Sequence, residues 1–175
     1  MRTVVLGDNH PELTEWIARR RAMRQDLHDE VWHGEYHMAP AAHNYHGLLA
    51  AELALALREH AARRGLVVGT AFNLGDDVDD FRVPDLGVHR ELLDLVGVPT
   101  AAMVVEVVSP DDESWLKFDH YAAHGVDEVL IADPWERTLD LFVLAGGRYA
   151  PAERSALLDV LVAELHEAVA WPGSQ

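Results

Sequence analysis

The sequence of 175 residues contains no cysteine, a single lysine and no long apolar run. The lack of cysteine excludes disulfides, thiolate nucleophiles and cysteine-ligated zinc. Its apolar stretches fall well short of the roughly 18 residues that cross a bilayer, so we expect no association with a membrane. The amino-terminal stretch is too polar for a secretory signal, and we therefore expect a cytoplasmic location.

Basic residues are also scarce, because 14 of them stand against 30 acidic residues and the net charge is −16. This charge opposes non-specific attraction to nucleic acid or to an anionic membrane, so any nucleic-acid contact needs a local basic patch or bound cations. Thirteen of the fourteen basic residues are arginine, and the one lysine is Lys117. Lysine is a compact amine whose pKa shifts readily, a property that arginine does not share.

The length fits one domain with a sizeable core. Helical spacing predicts helices over residues 11–28, 41–64, 111–125 and 153–170. Apolar or alternating stretches predict a hairpin over 30–40 and strands over 66–74, 81–90, 101–109, 126–134 and 138–150, with a helical turn in 91–100. We therefore expect an N-terminal helical segment over 1–29 and a single α/β domain over 30–175, with a mixed central sheet flanked by helices.

Two predicted strands each carry one carboxylate. Asp85 follows Pro84 in "RVPDLGVHR", and Glu106 lies between valines in "MVVEVVSP". A buried carboxylate must be paired, protonated or bound to metal, because an isolated charge is very unfavourable in a low dielectric. Two acids on neighbouring strands can share a hard cation such as Mg²⁺. For Asp85 alone, pairing with Arg82 or Arg90 is the alternative.

Lys117 lies on the helix predicted to follow the Glu106 strand. His120, Tyr121 and His124 stand three, four and seven residues further on, which places all four side chains on one helix face. Since this helix begins where the strand ends, Lys117 can fold back toward the carboxylates. There it can orient a water nucleophile or neutralise a developing negative charge. The alternative is an exposed lysine on an amphipathic helix.

An ordered set of motifs runs from about Glu30 to about Tyr149. The set comprises "DEVWHGEYHMAPAAHNYHGLLAAELALAL", "VPD", "EVVS", a helix with "K…Y…GV", "EVLIADP" and "GGRY". It resembles the Uma-two group of putative restriction endonucleases, in the PD-(D/E)XK nuclease superfamily. The resemblance implies a restriction-endonuclease-like core, a mixed central β-sheet flanked by helices, as the nuclease-like domain over 30–175.

The resemblance also implies a metal site. Asp85 and Glu106 correspond to the acids that bind the metal, Mg²⁺ or Mn²⁺, and the backbone carbonyl of Val107 corresponds to a third ligand. The superfamily's lysine usually stands where this chain has Val108. Lys117 resembles a catalytic lysine that has moved to the following helix.

Three further residues match the family pattern. Glu35 corresponds to a further acid brought in from the amino-terminal part, while His43 and Tyr121 are supporting residues without an assigned role. The implied activity is metal-dependent endonucleolytic hydrolysis of phosphodiester bonds, with DNA as the expected substrate and no other cofactor. A homodimer is expected for cutting both strands of a duplex.

Two other functions fit the same sequence. The fold can serve as a catalytically silent binding or regulatory module, which the acidic surface and Val108 favour. Alternatively, His120 and His124 have the spacing of zinc ligands on a helix. The known hydrolase motif needs a glutamate directly after the first histidine, and Tyr121 stands there instead.

Overall fold

The computed structural model of the chain describes residues 3–5, 11–39, 42–109 and 113–173. The α-helices in these ranges are α1 (Pro11–Ala22), α2 (Asn44–Arg63), α3 (Phe118–Ala123) and α4 (Val162–Ala168), and a 3-10 turn, Ser114–Lys117, leads into α3. The strands are β1 (Thr3–Val5), β2 (Glu30–Trp32), β3 (Glu35–Met38), β4 (Val67–Thr70), β5 (Asn73–Asp77), β6 (Asp80–Arg82), β7 (Leu86–His89), β8 (Gly97–Val98), β9 (Met103–Val107), β10 (Glu128–Asp133), β11 (Thr138–Ala145), β12 (Arg148–Ala152), β13 (Arg154–Ser155) and β14 (Val160–Leu161).

The larger core is built on a mixed sheet with the strand order β12-β11-β10-β9-β7-β4. At its centre β9 pairs in parallel with β10 and antiparallel with β7. All five residues of β9 are buried, as expected for a strand that is covered on both faces. The predicted position of this strand in the middle of a sheet is therefore confirmed.

The two faces of the central sheet pack against different layers. On one face, the apolar stripe of α2 (Leu49, Leu53, Leu57, Ala61) packs with alternate residues of β9 and with Leu165 of α4. On the other face, Val104 of β9 packs with Val129 and Ile131 of β10 and with Tyr121 of α3. Side chains alternate along a strand, so Glu106 points to the same face as Val104, toward α3.

A second sheet has the order β1-β3-β2-β6-β5-β8. The predicted hairpin is present as β2 and β3, and both turn residues, His33 and Gly34, have positive φ, as in a type I′ turn. The hairpin is tied to the rest of the sheet by pairing of Val31 with Phe81 of β6. It therefore holds Glu30 beside the stretch that precedes β7. The segment before residue 30 contributes both α1 and the strand β1.

The predicted helix over 153–170 is wrong in its first half. Residues 154–155 and 160–161 form the small hairpin of β13 and β14, and only Val162–Ala168 is helical. The cause is the buried carboxylate of Glu128, which accepts hydrogen bonds from the Ser155 hydroxyl (2.5 Å) and the Leu157 amide (3.1 Å). These bonds fix a turn in which Leu158 reaches the core.

Other predicted elements are divided or shortened. Residues 66–74 form β4 and the start of β5, which lie in different sheets, and 81–90 is divided in the same way between β6 and β7. The stretch 91–100 has no helical turn and contains the short strand β8. Residues 111 and 112 of the helix predicted over 111–125 lie outside the described residues. Within the described ranges, no helix has both the length and the apolar character to cross a membrane.

Candidate active site

Asp85 lies directly before β7, where this strand leaves its partner β9. The last backbone pair is Leu86 with Val105, and the same antiparallel register places Asp85 opposite Glu106. One Asp85 oxygen, Oδ2, accepts the amide of Val107 at 2.8 Å. The Asp85 carboxylate thus takes the place of a backbone carbonyl as the acceptor for the Val107 amide, at the point where backbone pairing of β7 with β9 has ended.

The Val107 carbonyl faces the same side as this bond. In a strand, the N–H and C=O of one residue point toward the same neighbour. The amide of Val107 points to Asp85, whereas the amide of Val108 points to Ala132 of β10. The predicted ligand set of Asp85, Glu106 and the Val107 carbonyl therefore lies at one strand end.

Glu106 lies deep in the second face of the sheet, where its residue is 3% exposed. Its two oxygens lie 3.1 and 3.2 Å from Nζ of Lys117, and Oε1 also accepts the hydroxyl of Tyr121. Burial raises the pKa of the Glu106 carboxyl to about 8; the Asp85 and Glu30 carboxylates add to this rise, and Lys117 and Tyr121 oppose it. Burial thus disfavours the ionised form of this carboxyl, and two donors, Lys117 and Tyr121, favour it.

Lys117 is the last residue of the 3-10 turn and is bonded to two carboxylates. Its Nζ lies 2.9 Å from Oε1 of Glu30 and 3.1 Å from Oε1 of Glu106. Burial alone lowers the pKa of Lys117, but the charges of Glu106 and Glu30 outweigh it and the pKa lies above its ordinary value. The lone lysine of the chain is thus a buried, permanently charged ammonium.

Glu30 is a member of this cluster that the sequence did not predict. Its Oε1 also accepts the amide of Val83 (2.8 Å), and its Oε2 accepts the indole N–H of Trp32 (2.6 Å). The acid predicted from the same hairpin, Glu35, is exposed, and none of its described contacts reaches Lys117. No local pattern in the hairpin distinguishes Glu30, which is buried, from Glu35.

Tyr121 lies one helical turn after Lys117, and both side chains contact Glu106, as the four-residue spacing predicts. Burial, followed by the Glu106 charge, raises the pKa of the Tyr121 phenol well above its ordinary value. Tyr121 is therefore a hydrogen-bond donor at any neutral pH.

The histidine next to Asp85 is His46 rather than His43. The exposed His43 caps α2, where its Nδ1 accepts the amide of Tyr45. His46 lies three residues before the buried Leu49, on the face of α2 that meets the sheet, and its Nε2 lies 2.8 Å from Oδ1 of Asp85. This spacing relative to the apolar stripe is the signal that distinguishes the two histidines.

Two carboxylates, Glu30 and Glu106, contact one ammonium, and the charge of a third, Asp85, also acts on it, so the cluster has an excess of acid. The atoms that this cluster could offer to a metal are carboxylate and carbonyl oxygens, which hard divalent cations prefer. Over the described ranges, no group of three or more His, Cys, Asp or Glu side chains is arranged to hold a metal. A metal here would be held by two carboxylates and the carbonyl of Val107.

Both candidate ligands of the zinc alternative, His120 and His124, are hydrogen-bonded to backbone carbonyls. Nε2 of His120 lies 3.0 Å from the carbonyl oxygen of Leu74, and Nδ1 of His124 lies 2.9 Å from the carbonyl oxygen of His120. Burial lowers the pKa of His120 to about 4, so its ring is neutral and donates to Leu74. In each ring, one nitrogen is thus engaged in a hydrogen bond to a backbone carbonyl.

Comparison with known proteins gives a family and a fold. A family model for Uma2, described as "Putative restriction endonuclease", matches residues 11–171. Among solved structures, the chain is similar to a putative nuclease belonging to DUF820 from Anabaena variabilis ATCC 29413, with a TM-score of 0.65 and 14% identity, over 80% of this chain and 90% of that one. Among curated proteins none matches. The predicted restriction-endonuclease-like core, a mixed sheet flanked by helices, is confirmed.

Proposed function

We propose that this chain, which belongs to the Uma2 family, is a metal-dependent endonuclease that hydrolyses phosphodiester bonds of nucleic acid. One observation carries the proposal: at one end of β7 and β9, Lys117 contacts Glu106 and Asp85 accepts the amide of the next residue, Val107. Asp85 is close enough to raise the pKa of both other groups. A buried cluster of this kind, with strongly shifted pKa values, is typical of functional sites.

Asp85, Glu106 and the carbonyl of Val107 would hold the metal, for which we propose Mg²⁺ or Mn²⁺. A bound divalent ion supplies Lewis acidity toward a phosphoryl oxygen and a bound water of lowered pKa. Glu106 would bind the ion in its ionised form, which a divalent cation favours. Binding of Glu106 to the metal would also remove one of the two carboxylate partners of Lys117. The ammonium would then stabilise negative charge on the phosphate or position the water.

Glu30 has a positioning role in this scheme. It retains Lys117 through the 2.9 Å contact to Nζ while Glu106 is engaged elsewhere. The amide of Val83 and the indole of Trp32 fix the Glu30 carboxylate in place. The lysine therefore keeps a defined position when one of its two partners is exchanged.

The test is cleavage of plasmid DNA and of single-stranded DNA in the presence of Mn²⁺. We expect cleavage by the wild type and loss of cleavage in Lys117→Met and Glu106→Gln. Glu128→Gln is the matched control, because Glu128 is equally buried but bonds Ser155 and Leu157 instead. A folded Lys117→Met protein that cleaves like the wild type would remove Lys117 from the mechanism, and an inactive wild type would refute the nuclease proposal.

The polymer and the assembly are parts of the same proposal. We propose DNA as the substrate and a homodimer as the form that cuts both strands, because a two-fold pair presents one site to each strand. A parallel assay on RNA and light scattering of the protein test these points. Faster cleavage of RNA, or a monomer that makes double-strand breaks, would contradict them.

One observation favours a second function, a catalytically silent binding module. Lys117 contacts both oxygens of Glu106, so this carboxylate already has a cation bound to it. If this state is never exchanged for a metal-bound one, the fold only binds its partner. Absence of a specific Mn²⁺ site in the wild type would support the module over the nuclease.

A further inference from the structure

His46 of α2 forms a bridge between the two strands that carry the site. Its Nε2 lies 2.8 Å from Oδ1 of Asp85, and its Nδ1 lies 3.0 Å from Oγ of Ser109. Ser109 follows the end of β9 and Asp85 precedes β7. One imidazole thus joins α2, the entry to β7 and the exit from β9 at the candidate metal site.

The proton positions in this bridge follow from the partners. An ionised carboxylate only accepts hydrogen bonds, so Nε2 of His46 carries the proton and donates it to Asp85. In the neutral ring Nδ1 is then an acceptor, and the hydroxyl of Ser109 donates to it. Both ring nitrogens therefore have a partner on a separate element, which fixes the orientation of the ring.

The bridge also fixes the Asp85 carboxylate. His46 holds Oδ1, and the amide of Val107 holds Oδ2 at 2.8 Å. Each oxygen retains lone pairs after these bonds, and the plane of the carboxylate is set by two donors on different elements. Groups that hydrogen-bond a metal-ligating carboxylate orient it, and their removal typically weakens metal binding about 10- to 100-fold.

We propose that His46 is a positioning residue that pre-orients Asp85 for the divalent cation, with Ser109 holding the imidazole. This inference rests on the proposed function. It assigns a task in metal binding to a residue that joins a helix to a sheet. His46 acts through Asp85.

The test is calorimetric titration of Mn²⁺ into wild type, His46→Ala, His46→Gln, Ser109→Ala and His60→Ala, with thermal unfolding of each protein as a check of folding. His60→Ala is the matched control, because His60 is a partly buried histidine further along the same helix. We expect His46→Ala to bind Mn²⁺ about 10- to 100-fold more weakly. His46→Gln should restore much of the affinity, since its amide can donate to Asp85. Ser109→Ala should lose less, and His60→Ala nothing.

The outcomes separate this inference from the function on which it rests. Wild-type protein without a specific Mn²⁺ site overturns the proposed metal site, and the role of His46 with it. Specific binding that is equally tight in wild type and His46→Ala overturns the role of His46 alone. Weak binding in both His46 variants, with a matching loss of thermal stability, shows that His46 is structural and also overturns the inference.

Discussion

Replacing Glu106 by glutamine should remove a pH dependence of stability that this carboxyl imposes on the folded protein. The pKa of the Glu106 carboxyl rises from 4.5 to about 8 on folding, chiefly through burial. The folded state therefore holds the proton more tightly than the unfolded chain does. The stabilisation is full below pH 4.5 and is lost as the pH rises through 8.

The magnitude follows from the two pKa values. The difference between about 8 and 4.5 corresponds to about 5 kcal/mol over the whole interval. His120 acts in the opposite sense, because its pKa falls from 6.5 to about 4 and its contribution is lost as the pH falls. The interval from pH 6.5 to 8 therefore isolates Glu106 from His120. There we expect a loss of about 2 kcal/mol.

The assay is urea unfolding at pH 6.5 and pH 8, the two ends of this interval. The wild type should be less stable at the higher pH, Glu106→Gln should show no such decline, and Glu128→Gln should keep it. A wild type that is equally or more stable at the higher pH would refute the reasoning, as would a decline that survives in Glu106→Gln.

Three further predictions concern the groups around Glu106. Lys117→Met leaves Glu30 and Glu106 buried without their cation, and should lower the free energy of unfolding by about 3–5 kcal/mol in urea; an unchanged value would show that the ion pairs contribute nothing. Tyr121→Phe removes the hydroxyl that donates to Glu106, and should lower the free energy of unfolding by about 1–3 kcal/mol. It should also raise the Glu106 pKa further, so an NMR titration that shows a lower pKa would contradict the contact. Glu30→Gln should weaken the contact with Lys117 and lower the free energy of unfolding by about 1–3 kcal/mol. A variant as stable as the wild type in urea would show that Glu30 does not hold Lys117 in place.

The parts of the site that lie close together along the chain could be predicted from the sequence. A glutamate between valines in a run that is apolar on both faces indicates a buried carboxylate in a central strand, and β9 is such a strand. The chain enters a 3-10 turn and α3 soon after β9 ends, so Lys117 can fold back toward Glu106. The four-residue spacing then brings Tyr121 to the same carboxylate.

The missed parts depend on tertiary packing. Glu30 reaches Lys117 only because its hairpin pairs with β6, and nothing local distinguishes its strand from an edge strand. His46 reaches Asp85 because the face of α2 that carries it meets the sheet. The helix predicted over 153–170 has a good helical pattern. The buried Glu128 nevertheless accepts hydrogen bonds from Ser155 and Leu157 and fixes a turn there in place of a helix.

The central claim is that Asp85 and Glu106 together hold a divalent ion. The most direct measurement is electron paramagnetic resonance of free Mn²⁺ during titration of wild type, Asp85→Asn and the control Asp133→Asn. Asp133 likewise accepts backbone amides, those of Trp135 and Glu136, so the control matches the contact that is changed. We predict one tight Mn²⁺ site per chain in wild type and Asp133→Asn and none in Asp85→Asn. Equal Mn²⁺ binding by all three proteins, or no tight site in any of them, would contradict the claim.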